Sequence, residues 1–275
     1  MTQTAEETTT YLETVKGRQR QAWSSGDYHA VAARIALTAE HLCDTADLHA
    51  GWRVLDVATG SGNAAIAAAR LGCEVVGVDY VPALLERARV RAAAEGLDVE
   101  LVEGDAEALP FPDGSFDAVT SVFGVMFTPD HARAAAELLR VCRPGGTIAL
   151  ANWTPEGFIG QVFQTLGRHV PPPAAVPSPM LWGTEEHLRE LFGDEVCSLE
   201  TAQRTFTFRF RSAEDYVDFF RRWYGPTLKA FAALEGEAAD ALEADLVAVA
   251  RRFDRLGSDA AAISSTYIEA VAVKR

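Results

Sequence analysis

The pattern of hydrophobic and polar residues changes at about Trp52. From there, short apolar runs rich in β-branched residues alternate with alanine-rich runs, and this alternation predicts βαβ units around a parallel sheet. The apolar runs predict strands at Arg53–Val57, Glu74–Val78, Val99–Val102, Phe116–Ser121 and Thr147–Asn152. The runs between them predict helices that include Ala64–Leu71, Pro82–Glu95 and Asp130–Val141. The middle of the chain is therefore expected to form an α/β domain.

The segments on either side have different patterns. Before Asp47, two helices are predicted, Thr4–Trp23 and His29–Cys43. After Asn152 the patterns predict, in order, a proline-rich loop at Val170–Pro179, a helix at Glu185–Phe192, a strand of period two at Thr205–Arg211, a largely helical stretch at Ser212–Arg255 and a closing strand at Ser265–Val273. We therefore expect an N-terminal helical lid (1–47), an α/β core (48–153) and a region (154–275) of helical cap insertions that also holds the last strands of the sheet.

Composition and charge narrow the function classes. The 275 residues carry a net charge of -14, which disfavours a nucleic-acid partner, because proteins that grip phosphate backbones usually present a basic face. Four cysteines are scattered without a C-x-x-C pair, and the histidines have no metal-ligand spacing, so we expect reduced thiols and no metal site. The sequence shows neither a signal-peptide pattern nor a long apolar run. It predicts a cytoplasmic protein with no membrane partner.

A glycine-rich loop follows the first strand predicted in the core. In Asp56-Val-Ala-Thr-Gly-Ser-Gly62 the glycines let the backbone approach a ligand closely, and the next helix presents free N–H groups. Asp79 ends the following strand, about twenty positions after Gly60, where Rossmann folds place an acid on ribose hydroxyls. The loop also satisfies the dinucleotide pattern G-x-G-x-x-A, so by itself it does not distinguish NAD from another adenosyl ligand.

Asp56 separates these two ligands. A carboxylate upstream of the glycines would repel a pyrophosphate lying over the loop, whereas it would attract a ligand with an ammonium and a sulfonium group. A second interpretation is that Asp56 only forms the turn, because Asp is common where a strand enters a loop.

Four segments in register resemble the motifs of class I S-adenosylmethionine-dependent methyltransferases. Asp56-Val-Ala-Thr-Gly-Ser-Gly62 is similar to the first motif, with Ala58 in place of its first glycine. Gly77–Asp79 resembles the acidic end of the second strand, Glu103–Asp117 the next motif, and Leu138–Thr147 the turn into the fifth strand. The resemblance covers about Trp52–Asn152. It is strong for the branch of the family that includes quinone C-methyltransferases. It implies a Rossmann-like α/β fold with a seven-stranded mixed sheet, helices on both faces, an N-terminal helical lid and helical cap insertions.

The resemblance also implies S-adenosylmethionine as the cofactor and suggests which residues hold it. Asp79 is expected to accept the ribose hydroxyls, Asp105 the adenine amino group, and the backbone N–H of Ala106 is expected to donate to an adenine ring nitrogen. Ala58 tolerates unusual backbone geometry less well than the glycine it replaces. The candidate cofactor-binding residues are Asp56, Ala58, Gly60, Gly62, Asp79, Tyr80, Asp105, Ala106, Ser121 and Trp23.

Methyl transfer from a sulfonium mainly requires alignment and exclusion of water, so no catalytic residue is assigned. Aromatic residues at predicted strand ends and loops instead indicate an aromatic-lined acceptor pocket. The candidates are Trp153, Phe123, Phe127, Tyr28, Tyr224 and His131. For each aromatic residue, core packing is an equally good interpretation. The stripe Phe219–Tyr224 is interpreted as the core of the cap, with Tyr224 turned into the site, and the Val170–Pro179 loop is expected to form a wall of the pocket.

The sequence therefore predicts an enzyme that transfers a methyl group to an O, N or C atom of a small molecule, an aromatic or heterocyclic metabolite. The first alternative is an NAD-dependent oxidoreductase, which Asp56 and the lack of a Tyr-x-x-x-Lys pair disfavour. The second is a non-catalytic protein that binds an adenosyl ligand, which the cofactor motifs do not exclude.

Overall fold

The computed structural model describes residues 5–257 and 260–275. Within these ranges the strands are β1 Arg53–Val57, β2 Glu74–Asp79, β3 Val99–Glu103, β4 Phe116–Val122, β5 Cys142–Trp153, β6 Val196–Phe210 and β7 Ala261–Lys274. The helices are α1 Ala5–Trp23, α2 Tyr28–Ala32, α3 Ala36–Thr45, α4 Asn63–Arg70, α5 Pro82–Ala94, α6 His131–Val141, α7 Phe158–His169, α8 Glu185–Phe192, α9 Ala213–Trp223, α10 Gly225–Ala232 and α11 Glu237–Phe253. Thr4, where the first predicted helix was expected to begin, lies outside the described residues.

The described strands form one mixed sheet of seven strands in the order β3-β2-β1-β4-β5-β7-β6. Neighbours from β3 to β5 are parallel, and β7 runs antiparallel to both β5 and β6. The strand order reverses between β1 and β4, and ligands of open α/β sheets bind at such a switch point, outside the carboxyl ends of the strands. The loops that follow β1 and β4 therefore mark the expected site.

Helices cover both faces of the sheet, and the apolar strand residues lie between them. Val54, Leu55 and Val57 in β1 are fully buried, as expected for a strand covered on both faces. Helix α4 is rich in alanine, and Ala65 and Ala67 are also fully buried, so this helix packs closely on β1 and β2. The Rossmann-like α/β prediction with a seven-stranded mixed sheet is confirmed.

The N-terminal and C-terminal helices meet beside the sheet. Helix α1 contacts α10, and α2 contacts α9. The contact is close: a Cβ added to Gly225 at the start of α10 would lie 1.9 Å from the carbonyl oxygen of Ala22 in α1. Helix α11 packs on α7 and α9 and completes the C-terminal helical layer. In the described ranges, no helix is both long and apolar enough to cross a membrane.

Two elements differ most from the sequence-based prediction. Strand β6 begins at Val196, nine residues before the predicted start at Thr205. Its first part is an edge strand that pairs only with β7 and has many exposed side chains, so it lacks a strong apolar alternation. Helix α7 was not predicted, because the proline-rich segment that follows it is typical of a loop. Phe158, Val162 and Leu166 lie on the buried face of this helix.

Candidate functional site

The loop between β1 and α4 turns back sharply at the switch point of the sheet. Ala58, Gly60 and Gly62 have positive φ angles of 53°, 55° and 85°. Glycine adopts this conformation freely, whereas a residue with a Cβ pays about 1–2 kcal/mol. The N–H of Gly60 donates to a carboxylate oxygen of Asp79 at 2.8 Å, which ties the loop to the end of β2.

Ala58 departs from the glycine of the family motif, and the neighbouring loop accommodates it. A Cβ added to Gly124 would lie only 2.7 Å from the Cβ of Ala58 and 2.7 Å from its carbonyl oxygen. A side chain at position 124 would therefore force the two loops apart. The alanine in one loop is matched by a glycine in the other.

Asp56 is buried at the end of β1 and accepts three hydrogen bonds. One carboxylate oxygen accepts from the hydroxyl of Thr59 at 2.6 Å and from the N–H of Ala65 at 3.1 Å, and the other accepts from the hydroxyl of Thr120 at 3.1 Å. Burial raises the pKa of Asp56 to about 6, although these hydrogen bonds oppose the rise. Asp56 therefore holds the turn, as one interpretation predicted, and it also lines a cavity.

Asp79 occupies the corresponding place at the end of β2 and is 5% exposed. Besides the N–H of Gly60, it accepts the N–H of Val81 at 2.9 Å. Burial raises the pKa of Asp79 to about 6, although its backbone hydrogen bonds oppose the rise. Each carboxylate oxygen has two lone pairs, so both oxygens retain capacity for a further donor from a ligand.

Asp105 follows β3 and is paired with a lysine of the lid. Its two carboxylate oxygens accept from the ammonium of Lys16 at 2.7 Å and from the N–H of Glu107 at 2.9 Å. Lys16 also lies 2.7 Å from a carboxylate oxygen of Glu107. These two acids raise the pKa of Lys16 above its ordinary value, although its burial opposes them. The lysine therefore remains a cation between the two acids.

Helix α1 closes over this end of the sheet through one face. Besides Lys16, Arg20 forms an ion pair with Glu103, and the side-chain amide of Gln19 donates to the carbonyl oxygen of Phe127 at 3.0 Å. Trp23, at the end of the helix, contacts the ring of Phe127 with the centroids 5.0 Å apart. The lid is therefore fixed to the loops after both β3 and β4.

These residues enclose a cavity that holds both carboxylates and apolar side chains, which we call the cofactor cavity. It holds about 960 Å³ of empty space, including the solvent at its mouth. Eight of the ten candidate cofactor-binding residues line it: Asp56, Ala58, Gly60, Asp79, Tyr80, Asp105, Ala106 and Trp23. Three of these are carboxylates, so the cavity suits a ligand with hydroxyl, amine and cationic groups better than one with phosphates.

A second, apolar cavity lies beside the first, and we call it the aromatic chamber. It holds about 420 Å³ of empty space, including the solvent at its mouth. The lining residues come from both ends of the chain and from the middle: Tyr28, Val31, Ile35, Phe123, Phe127, Trp153, Ile159, Val162, Phe163, Phe208, Tyr216, Phe220 and Tyr224. Five of the six predicted pocket residues are among them.

The two cavities share a wall formed by Tyr28, Ile35, Phe123 and Phe127, which line both. Phe123 has a φ of 54°, which is an outlier for a bulky residue. Its ring stacks on Trp153 with the centroids 3.9 Å apart and the planes 4° apart. Backbone strain of this kind concentrates at functional sites. The chain thus holds an aromatic ring at the boundary between the cavities.

Four residues or segments expected at the site line neither cavity. Gly62 lines neither cavity; a Cβ there would lie 3.0 Å from the Cβ of Ala88, so this glycine serves the packing of α4 on α5. Ser121 is buried, and its hydroxyl links the carbonyl oxygen of Val57 to the N–H of Val125, so it holds the loop after β4 rather than lining the cavity.

The other two were expected at the acceptor pocket. His131 lies outside both cavities, packed against Trp182 and with Nδ1 2.9 Å from a ring nitrogen of His187, because the start of α6 faces the turn before α8. The proline-rich loop contributes no residue to either cavity and instead contacts α1, where the hydroxyl of Tyr11 donates to the carbonyl oxygen of Ala174.

Several lining residues were missed by sequence reasoning. Lys16 and Gln19 were not predicted, because the sequence of α1 does not indicate where this helix packs on the distant α/β core. In the chamber, Phe208, Tyr216 and Phe220 lie on an alternating strand and an amphipathic helix, and such patterns are typical of core residues. Phe220 and Tyr224, four residues apart on the stripe assigned to the core of the cap, were the available signal.

Comparison with known proteins gives consistent results. A family model described as a methyltransferase domain matches residues 55–150. An uncharacterised protein of Mycobacterium tuberculosis is 43% identical over 239 residues, which cover 85% of this chain and 87% of that protein. The demethylmenaquinone methyltransferase of Deinococcus radiodurans is 44% identical over 128 residues, 45% of this chain and 53% of that protein. The crystal structure of the YcgJ protein from Bacillus subtilis superimposes with a TM-score of 0.59 at 22% identity, covering 86% of this chain and 98% of that one.

Proposed function

The chain belongs to the class I S-adenosylmethionine-dependent methyltransferases, and we propose that it methylates an O, N or C atom of an aromatic or heterocyclic small molecule bound in the aromatic chamber. The observation that carries this proposal is the shared wall. A cavity rich in carboxylates and a chamber of aromatic side chains meet at Tyr28, Ile35, Phe123 and Phe127, so a donor and an acceptor bound on either side would face each other there.

The residues of the cofactor cavity fit S-adenosylmethionine. Asp79, at the end of β2, has free acceptor capacity for two ribose hydroxyls, and Asp105 with the N–H of Ala106 offers an acceptor and a donor to the adenine edge. The two buried carboxylates, Asp56 and Asp79, have raised pKa values, so a cationic ligand nearby would favour their ionised forms. A Cβ at Gly60 would lie 3.4 Å from the ring of Tyr28, so the glycine lets this ring lie close to the loop.

When bound, S-adenosylmethionine supplies an electrophilic methyl group whose bonding pair returns to sulfur as an electron pair of the acceptor forms the new bond. The chain contributes binding, alignment and exclusion of water. Among the described residues, the chamber is lined by no carboxylate, histidine or amine, so we assign no general base. Phe123 and Phe127, which line both cavities, would lie against both reactants and help to keep water out of the site.

Two alternatives predict different results. An NAD-dependent oxidoreductase would place a pyrophosphate against the buried carboxylates of Asp56 and Asp79, which is electrostatically unfavourable. A non-catalytic binder of an adenosyl ligand would have the cofactor cavity but would not require an aromatic chamber behind a common wall.

The test combines binding with turnover. Titration calorimetry is expected to show binding of S-adenosylmethionine and S-adenosylhomocysteine and none of NAD. A transfer assay with a methyl-labelled donor and a panel of phenols, quinols and nitrogen heterocycles is expected to yield labelled products. Tight NAD binding without a response to the sulfonium would contradict the proposal. Cofactor binding with no product across the whole panel would favour the non-catalytic alternative.

A further inference from the structure

The side chains of the aromatic chamber restrict the chemistry of its ligand further than membership of the family does. The side chains that line it within the described residues are aliphatic, phenyl, indole or phenol groups, and none carries a charge. The cofactor cavity beside it contains the carboxylates of Asp56, Asp79 and Asp105 and the ammonium of Lys16. The charged groups at this site are therefore confined to one side of the shared wall.

A charged acceptor would be poorly held in such a chamber. A phosphate, carboxylate or ammonium group that leaves water needs an opposite charge or several hydrogen bonds to compensate for lost hydration. The chamber offers only the hydroxyls of Tyr28, Tyr216 and Tyr224. Burial raises the pKa of all three phenols above the ordinary value, so they remain neutral. A flat aromatic ring, by contrast, would contact aromatic faces on several sides.

One of the three hydroxyls is distinguished from the others because it is fully buried. Tyr216 in α9 is 1% exposed, and its hydroxyl has no hydrogen-bond partner among the described residues. Its ring is fixed by Phe220 and Phe158, with centroids 4.4 and 4.9 Å from its own. Buried hydroxyls without a partner are rare in folded proteins because they have lost their hydration without compensation. A ligand in the chamber can supply that partner.

We propose that the acceptor is an uncharged, flat aromatic molecule with one hydroxyl, carbonyl or ring-nitrogen group, and that this group forms a hydrogen bond with the hydroxyl of Tyr216. The inference rests on the proposed function, which places the acceptor in the chamber. Tyr216 is then an acceptor-positioning residue, because it fixes the rotation of the ring relative to the shared wall.

The test measures binding of three naphthalene probes to the protein saturated with S-adenosylhomocysteine, by quenching of tryptophan fluorescence. The probes are 2-naphthol, naphthalene and 6-hydroxy-2-naphthoate, which differ in their polar and charged groups. The wild-type protein is expected to bind 2-naphthol at least fivefold more tightly than naphthalene and at least tenfold more tightly than the naphthoate. Equal binding of the naphthoate and 2-naphthol would overturn the assignment of an uncharged acceptor.

Tyr216→Phe tests the hydroxyl, with Tyr267→Phe as the matched control. Tyr267 is also a buried tyrosine, but its hydroxyl is paired with Glu269, and the residue lies outside the chamber. Tyr216→Phe is expected to abolish the preference for 2-naphthol over naphthalene, to leave cofactor affinity unchanged and to preserve or raise the melting temperature. The control is expected to keep the preference.

Two results would refute the role of Tyr216: an unchanged preference in Tyr216→Phe, or a lowered melting temperature, which would show that its hydroxyl already has a partner. Calorimetry with S-adenosylhomocysteine distinguishes a failure of this proposal from a failure of the proposed function on which it rests. If the cofactor fails to bind, the proposed function fails. If the cofactor binds and 2-naphthol shows no preference over naphthalene, only the acceptor inference fails.

Discussion

The cofactor cavity and the aromatic chamber are built in opposite ways. Most of the cofactor cavity comes from loops that directly follow the parallel strands β1 to β4, and its functional groups are carboxylates and backbone N–H groups. The chamber is lined by side chains that lie between Tyr28 and Tyr224 in the sequence, on several helices, strands and loops, and its surface is mostly apolar. A cavity built from loops at strand ends can remain recognisable while a chamber built from distant helices changes, which lets one fold serve many acceptors.

The largest expected effect comes from Trp153→Ala, a substitution in the lining of the chamber. Trp153 is 5% exposed and stacks on Phe123, so Trp153→Ala should lower the free energy of unfolding by about 3–5 kcal/mol. We also expect turnover per folded molecule to fall sharply, with cofactor affinity within a few-fold of wild type. Thermal unfolding, calorimetry and the labelled-methyl assay measure the three quantities.

Trp182→Ala is the matched control for this change. Trp182 is fully buried but lines neither cavity, so its loss should destabilise the fold similarly and leave turnover per folded molecule intact. Normal turnover in folded Trp153→Ala would show that Trp153 serves the core alone.

The next effect is confined to the cofactor cavity. Asp79→Ala removes the acceptors assigned to the ribose hydroxyls, so S-adenosylmethionine should bind more weakly by about 1.5–3 kcal/mol. Asp98→Ala removes an exposed carboxylate at the start of β3 and should leave the affinity unchanged. Titration calorimetry compares the two variants. An Asp79→Ala protein that binds as tightly as wild type would remove Asp79 from the site.

The pH dependence of binding sharpens the same point. Burial raises the pKa of Asp79 to about 6, and hydroxyl donors bond more strongly to a carboxylate than to a carboxylic acid. The dissociation constant of S-adenosylmethionine should therefore rise as the pH falls through 6, by up to about tenfold per pH unit for one proton, and stay flat above pH 7. Calorimetry from pH 5 to 8 tests this. Asp79→Asn should flatten the profile, and an undiminished slope in that variant would transfer the dependence to Asp56, whose pKa is also about 6.

The same two carboxyls affect stability in the opposite direction. Because their pKa values in the folded protein lie above the ordinary value of 3.8, the folded state binds more protons than the unfolded state between about pH 4 and 6. Their contribution to the free energy of unfolding therefore falls as the pH rises through this window. Chemical denaturation of the cofactor-free protein at pH 4.5 and 7 would detect it.

The smallest effect concerns the one departure from the cofactor motif. Ala58 has a φ of 53°, so Ala58→Gly should relieve local strain and, after the entropy cost of glycine, stabilise the fold by about 0.5–1 kcal/mol. Ala136→Gly, at an exposed position in the middle of α6, should instead destabilise it by about 0.5–1 kcal/mol. Urea denaturation distinguishes the two. Equal destabilisation by both substitutions would show that position 58 is not strained.

The two regions also differ in how far the sequence predicted them. The glycine loop and Asp79 were predicted because they lie at the ends of strands whose apolar runs are plain, and because the loop needs glycine for its backbone. Asp105 was expected from the family resemblance. The pairing of Lys16 with Asp105 was not predicted, because it joins residues 89 positions apart and depends on where α1 docks. Tyr216 had no distinguishing signal at all, because its lack of a partner is a property of the packed fold.

The central claim is that one ligand lies in each cavity and that they meet at the shared wall. A crystal structure of the protein with S-adenosylhomocysteine and 2-naphthol tests it most directly. The account predicts adenine beside Asp105 and Ala106, ribose hydroxyls on Asp79, the sulfur facing Phe123 and Phe127, and the naphthol ring in the chamber beside Tyr216. Density for the nucleoside within the chamber, or for naphthol only outside it, would contradict the account.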